Sequence, residues 1–191
     1  MSKRKAVSES DWRNTIFYWR GILLREGTWT GAWVGSAIGV PLGQEYALSI
    51  NQFKLTLTLP GEGAGDTLDA IAGKTGTFAG SYLLDQGDGL ESFSDLWQNV
   101  AFSSIVIEES GRFAVVAACG NTDFGKFVSA GRLTERDGHI NLLLARRYVR
   151  DQDPRSAFTD AAAQLSSYSQ PFRRELDPEA ELPWRIAKKK K

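Results

Sequence analysis

The feature that most constrains this chain is a run of strict alternation. In Phe53-Lys54-Leu55-Thr56-Leu57-Thr58-Leu59 every odd position is apolar and every even one is polar or charged. Side chains repeat every two residues along a strand and every 3.6 along a helix. The run therefore buries one face only as a strand; as a helix it would spread its leucines around the whole circumference. Similar segments predict strands at Phe17–Leu24, Thr28–Ser36, Tyr46–Leu59, Thr77–Leu84, Val100–Glu108, Arg112–Cys119, Lys126–Leu133 and Ile140–Val149. The separators are turn-like: Pro60 to Asp66 is a glycine-rich loop, Gln86-Gly87-Asp88-Gly89 a tight turn, and Asp137-Gly138 suits a hairpin. About eight strands in series with such punctuation predict an all-β fold, an antiparallel barrel or sandwich. Closure into a barrel would remove the exposed strand edges.

The pattern changes after Val149. Asp153 as N-cap and Pro154 at the first position predict a helix, with Ala157, Phe158, Ala161, Ala162 and Leu165 as its apolar stripe through about Tyr168. It is expected to pack outside the β-domain or to plug one end. Residues 169–191, with three prolines and many charges, read as an extended basic arm that Pro183-Trp184 could anchor. The expected organisation is a flexible N-terminal tail at 1–12, a β-domain at 13–150, a C-terminal helix at 151–168 and the arm at 169–191.

With 191 residues, 42% hydrophobic and 24% charged, the chain suits one globular domain and excludes a disordered or collagen-like protein. Its net charge of zero is unevenly spread. Lys3, Arg4, Lys5, Arg185 and Lys188 to Lys191 supply eight of the 23 basic residues, leaving residues 6–184 with 15 basic against 23 acidic. An acidic body does not fit a nucleic-acid-binding domain. The basic ends offer only a salt-sensitive, sequence-blind attraction to phosphate or an acidic partner. No apolar run approaches the roughly 20 residues of a membrane helix, and no apolar stretch follows the basic residues of the N-terminus, so neither a membrane span nor a secretory signal is expected. A cytoplasmic setting is the default.

An internal echo narrows the architecture. Gly27-Thr28-Trp29-Thr30-Gly31-Ala32-Trp33 and Gly76-Thr77-Phe78-Ala79-Gly80-Ser81-Tyr82 both read Gly-Thr-aromatic-x-Gly-x-aromatic, and Gly125-Lys126-Phe127-Val128-Ser129-Ala130-Gly131 is a weaker third copy. At strand spacing the two aromatics of each of the first two copies share a face with the glycine between them, which permits a close approach or a bend. Gly-Thr-Trp-Thr followed by Gly35-Ser36 resembles the opening strand of the avidin and lipocalin families, and Gly76 to Tyr82 resembles the second strand of avidin-like proteins. The resemblance implies a calycin-like antiparallel barrel over residues 17–150. It also implies an arginine of a late strand, Arg146 or Arg147, stacked on the opening-strand Trp29 at one barrel end. Two departures limit it. Residues 37–75 form an insertion that avidins lack, and Gly31 stands where avidins contact biotin, so the barrel carries over but biotin binding does not.

No motif assigns a reaction: there is no phosphate loop, Rossmann glycine fingerprint or G-x-S-x-G elbow. The acids between Asp85 and Asp95 could supply oxygen ligands for Ca²⁺, but their spacing is not that of an EF-hand, and a turn with solvated carboxylates is favoured. Cys119, the single cysteine, and His139, the single histidine, would make a reactive pair only if the fold joined two distant strand ends; a buried structural thiol and a surface turn residue are expected. Asn121 and Asp123 suit a turn between two strands. The aromatics Trp19, Trp29, Trp33, Phe53, Phe78, Tyr82, Trp97, Phe113, Phe127 and Tyr148 either fill a core or line a ligand cavity, and Gly31 and Gly80 favour free space within the wall.

The reading is a non-enzymatic binding or assembly module. Its barrel holds a small apolar or aromatic ligand on Trp29, Trp33, Phe78, Tyr82 and Arg146, with no metal or cofactor, and its C-terminal arm docks on a protein partner. The alternatives are an enzyme of isomerase or cyclase type acting on a hydrophobic molecule inside the barrel, and a structural subunit of a larger complex.

Overall fold

A computed structural model describes residues 15–36, 40–61, 65, 67–109 and 111–166, with the side chains of Trp97 and Arg155 excepted. Eight strands follow in chain order: β1 (Ile16–Leu23), β2 (Thr28–Ser36), β3 (Gln52–Thr58), β4 (Thr75–Asp85), β5 (Leu90–Glu108), β6 (Gly111–Thr122), β7 (Gly125–Arg136) and β8 (His139–Tyr148). Each pairs antiparallel with the next, and β8 pairs with β1, so the sheet closes into a barrel. The alternation of β3 is realised residue by residue, Phe53, Leu55 and Leu57 buried and the polar positions between them exposed.

One apolar cluster fills the interior, including Trp19, Trp29, Leu55, Phe78, Val116 and Leu144. Two others lie on the outer wall. Ala101, Phe113, Val115, Ala117, Cys119, Val128 and Ala130 pack under a C-terminal helix, α3 (Ala161–Ser166). Ile16, Tyr18 and Ala145 pack under Tyr46 of α1 (Gly43–Ala47). One barrel end is plugged by α2 (Leu68–Ile71), whose Leu68 and Ile71 enter the interior cluster. It is held there by the Thr67 hydroxyl, which accepts from Ala70 N–H at 3.2 Å, and by Glu135, which accepts from Leu68 N–H at 3.2 Å.

Several expectations change. The predicted strand Tyr46–Leu59 begins only at Gln52: Tyr46 belongs to α1, and Leu48 and Ile50, apolar at even positions where β3 is apolar at odd ones, are 82% and 56% exposed. β5 begins ten residues before the predicted Val100. The predicted C-terminal helix divides into a 3₁₀ turn, Pro154–Ala157, and α3, because Asp160 starts a second cap whose carboxylate accepts from Ala162 N–H at 2.9 Å. It lies outside the barrel, where Gln164 donates to the Ser129 carbonyl at 3.0 Å. Gly31 and Gly80 leave no free space. A Cβ at Gly31 would strike the Arg20 carbonyl oxygen and come within 2.6 Å of Gly21 Cα, and one at Gly80 would lie 2.8 Å from Leu55 Cα. These glycines are where neighbouring strands press together. Segment 37–75 contains α1, β3 and α2 and is part of the barrel rather than an appendage. The N-terminal tail 1–12 and the arm 169–191 lie outside the described residues.

Candidate binding site

The barrel end opposite α2 opens into a cavity of about 380 Å³. It is built where β1 starts, β2 and β4 end and β8 ends. Inward positions two apart on each strand supply its wall: Phe17 and Trp19, Trp33, Tyr82 and Leu84, Arg146 and Tyr148. Asp85 at the end of β4, Gln86 from the β4–β5 turn and Phe124 from the β6–β7 turn complete the rim. The aromatic rings brace one another. Trp19 stacks on Trp33 at 5.9 Å and meets Tyr82 edge-on at 5.4 Å, while Phe17 meets Trp33 and Tyr148 edge-on at 5.7 Å each. Trp33 is further fixed by its indole N–H, which donates to the Leu83 carbonyl at 3.1 Å.

Arg146 is the charged member and is 2% exposed. Its Nη2 donates to Asp95 Oδ2 at 2.7 Å and to Gln98 Oε1 at 3.2 Å, and its guanidinium carbon lies 4.3 Å from the Trp19 ring centre and 3.9 Å from that of Phe127. Asp95 and Gln98 are three apart, a spacing that in a regular strand sends side chains to opposite faces. A bulge in β5, where the register against β4 shifts between Phe78 and Gly80, absorbs Leu96 and Trp97 and turns both polar residues inward. Burial works against the guanidinium charge, but the Asp95 carboxylate, aided by Tyr148, outweighs it and holds the Arg146 pKa above the ordinary arginine range. Burial, with Tyr148 next in weight, raises the Tyr82 phenol well above its usual value. Among the cavity-lining side chains, the fully buried polar atoms without a hydrogen bond are Trp19 Nε1, Arg146 Nε and Arg146 Nη1.

Of the five residues expected at a site, Trp33, Tyr82 and Arg146 line this cavity, whereas Trp29 and Phe78 do not. Those two are fully buried deeper in the barrel, 5.2 Å apart, with Phe53 4.5 Å from Trp29. Arg146 stacks on Trp19 and Phe127 rather than on Trp29. The register explains this: Trp33 pairs with Trp19 near the mouth, and Trp29 pairs with Leu23 toward the plugged end. Arg147 is one step out of phase with the inward positions of β8. Phe113 belongs to the outer wall, under the guanidinium of Arg132 at 4.3 Å. Phe17, Leu84 and Phe124 were not singled out, nor were Asp95 and Gln98 as partners of an arginine.

The other candidates resolve simply. Asp85, Asp88 and Glu91 are exposed, and Asp85 caps its own turn by accepting from Gly87 N–H at 2.8 Å. Asp95 instead is buried in the ion pair. Among the described residues, no group of three or more His, Cys, Asp or Glu side chains could hold a metal ion. Cys119 lies buried under α3, and burial pushes its thiol up to about 11. His139 is exposed. Cys119 is level with Val128 on β7 and His139 with Arg136; eight residues of strand, roughly 27 Å, separate them. Asn121 ends β6, and Asp123-Phe124 form the β6–β7 turn. No helix among the described residues is long and apolar enough to cross a membrane. Comparison with protein-family profiles, curated proteins and solved structures finds no match for this chain.

Proposed function

We propose that this barrel is a non-enzymatic binding module for a small, largely aromatic molecule held in the cavity at its mouth. The observation that carries the reading is the cavity itself: about 380 Å³, walled by Phe17, Trp19, Trp33, Tyr82, Phe124 and Tyr148 around one buried, ion-paired arginine. Small-molecule sites occupy roughly 300–1,000 Å³ and combine apolar walls with a few placed polar groups. The aromatic faces offer stacking surface at little conformational cost.

The titratable groups support binding over catalysis. A general acid or base works best with a pKa near the operating pH. Tyr82 and Arg146 are both shifted the other way, holding their protons more tightly, and Asp95 is already spent on Arg146. An isomerase or cyclase would draw on these same groups.

The test is titration with the neutral naphthalene dye 6-propionyl-2-(dimethylamino)naphthalene. The expected result is saturable one-to-one binding with a blue-shifted dye emission, abolished in Leu84→Trp, which fills the mouth. Non-saturable partitioning, or binding unchanged in a folded Leu84→Trp protein, would refute the proposal.

A further inference from the structure

We infer that the molecule this cavity takes is an uncharged aromatic compound carrying a hydrogen-bond acceptor, a ketone or lactam carbonyl, which it turns toward Arg146 and Trp19. The inference rests on the binding reading above and adds the chemistry of the ligand. Its first support is the sign of the unspent polar atoms. The buried, unpartnered atoms of the cavity lining are Trp19 Nε1, Arg146 Nε and Arg146 Nη1. All three are donors, and neither side chain has an acceptor to offer. The other lining indole, Trp33, already donates to Leu83. A buried donor is unfavourable until an acceptor reaches it, so the complementary group on a ligand is an acceptor.

The second support is charge, which separates a carbonyl from a carboxylate. An arginine in an aromatic pocket suits a carboxylate when its charge is free. Here Asp95 lies 2.7 Å from Nη2, and the two side chains are 2% and 0% exposed. The pair is neutral as a unit. A carboxylate on the ligand would bring a second buried negative charge beside Asp95, without the solvation it leaves behind. The mouth adds to this. Asp85 stands on the rim, and Asp123 is close enough to act on the Tyr82 phenol. A cationic group at this point would meet those three N–H donors and no acceptor, and the faces of Trp19 and Phe127 are already covered by the Arg146 guanidinium.

Three probes of nearly one shape test this: 2-acetylnaphthalene, 2-isopropenylnaphthalene (C=CH₂ in place of C=O) and 2-naphthoate. Each is titrated into the full chain at pH 7 by quenching of tryptophan fluorescence. The ketone is expected to bind about tenfold tighter than the hydrocarbon, equivalent to about 1.4 kcal/mol, and at least about tenfold tighter than the carboxylate. Asp95→Asn, which frees the guanidinium charge, is expected to reverse the order of ketone and carboxylate. A hydrocarbon equal to the ketone, or a carboxylate that equals or exceeds it in the native protein, overturns the inference and leaves the binding reading standing. If no naphthalene binds, the neutral dye included, the binding reading itself fails. Should Asp95→Asn not fold, the native series decides alone.

Discussion

Breaking the Arg146–Asp95 pair from either side should cost more than replacing both partners. Both side chains are essentially inaccessible to water, so removing one leaves the other as an uncompensated buried charge, a change worth about 3–5 kcal/mol. Asp95→Leu is expected at the lower end, about 3 kcal/mol, because the guanidinium keeps the Gln98 carbonyl and its two ring faces. Arg146→Met is expected at the upper end at pH 7, since the Asp95 carboxylate loses its ion-pair partner. That cost should shrink as the pH falls, because an isolated buried carboxylate takes up a proton. The double variant Asp95→Leu/Arg146→Met restores an apolar interior and should be more stable than either single one. In the native protein the sign is different. Arg146 has its folded pKa raised above the unfolded value, so its stabilisation is fully present below the ordinary arginine pKa and is lost only as the pH rises through the folded value. Urea denaturation at pH 5 and pH 7, read at constant m-value, measures all three variants. Single-variant costs below about 1 kcal/mol, or costs abolished by 1 M salt, would mean the pair is solvated and the argument is wrong.

Two further outcomes follow from the packing. Gly31→Ala places a methyl against the backbone of β1, with Arg20 C only 2.8 Å from the new Cβ, and is expected to cost about 3 kcal/mol or to prevent folding; a midpoint in urea within error of the native protein would show that β1 and β2 are not pressed together there. Cys119 has its folded pKa raised from 9.0 to about 11, so its contribution is intact below pH 9 and is lost as the pH climbs through 11, by about 2–3 kcal/mol; Cys119→Ala should lose correspondingly less stability over that window, and parallel losses in the two proteins would sink the assignment.

The barrel was legible because its determinants are local. Period-two alternation and Gly-containing turns placed segments in each of the eight strands, and the Gly-x-aromatic echoes placed Trp33 and Tyr82 on one face. The site was legible only in part because its determinants are not local. Arg146 and Asp95 lie 51 residues apart, and nothing in either segment announces the other. Asp95 and Gln98 look like ordinary solvent-facing positions unless the bulge between them is known. The stacking partner of Arg146 was placed on Trp29 because that residue carries the motif; the choice between Trp29 and Trp19 depends on cross-strand register, which sequence spacing does not encode. The α1 helix escaped notice because five residues are too few to display a helical period, and its flanking Leu48 and Ile50 imitate a strand. Phe124 reaches the rim from a two-residue turn, where periodicity has no meaning.

The bulge in β5 also carries a consequence for how this chain can change. Leu96 and Trp97 act as a phase shifter: upstream of them Phe93 and Asp95 look into the barrel, and downstream Gln98, Val100 and Phe102 do, until a second irregularity returns the inward phase to Ile105. Deleting one of the two would not merely shorten the strand. It would remove the bulge and leave Asp95 and Gln98 two apart, the spacing at which a regular strand already turns both inward, so that Val100 and Phe102 keep their place in the core. Loss of a single residue is therefore open to this strand at the bulge, whereas the same loss within either half would turn part of the wall inside out.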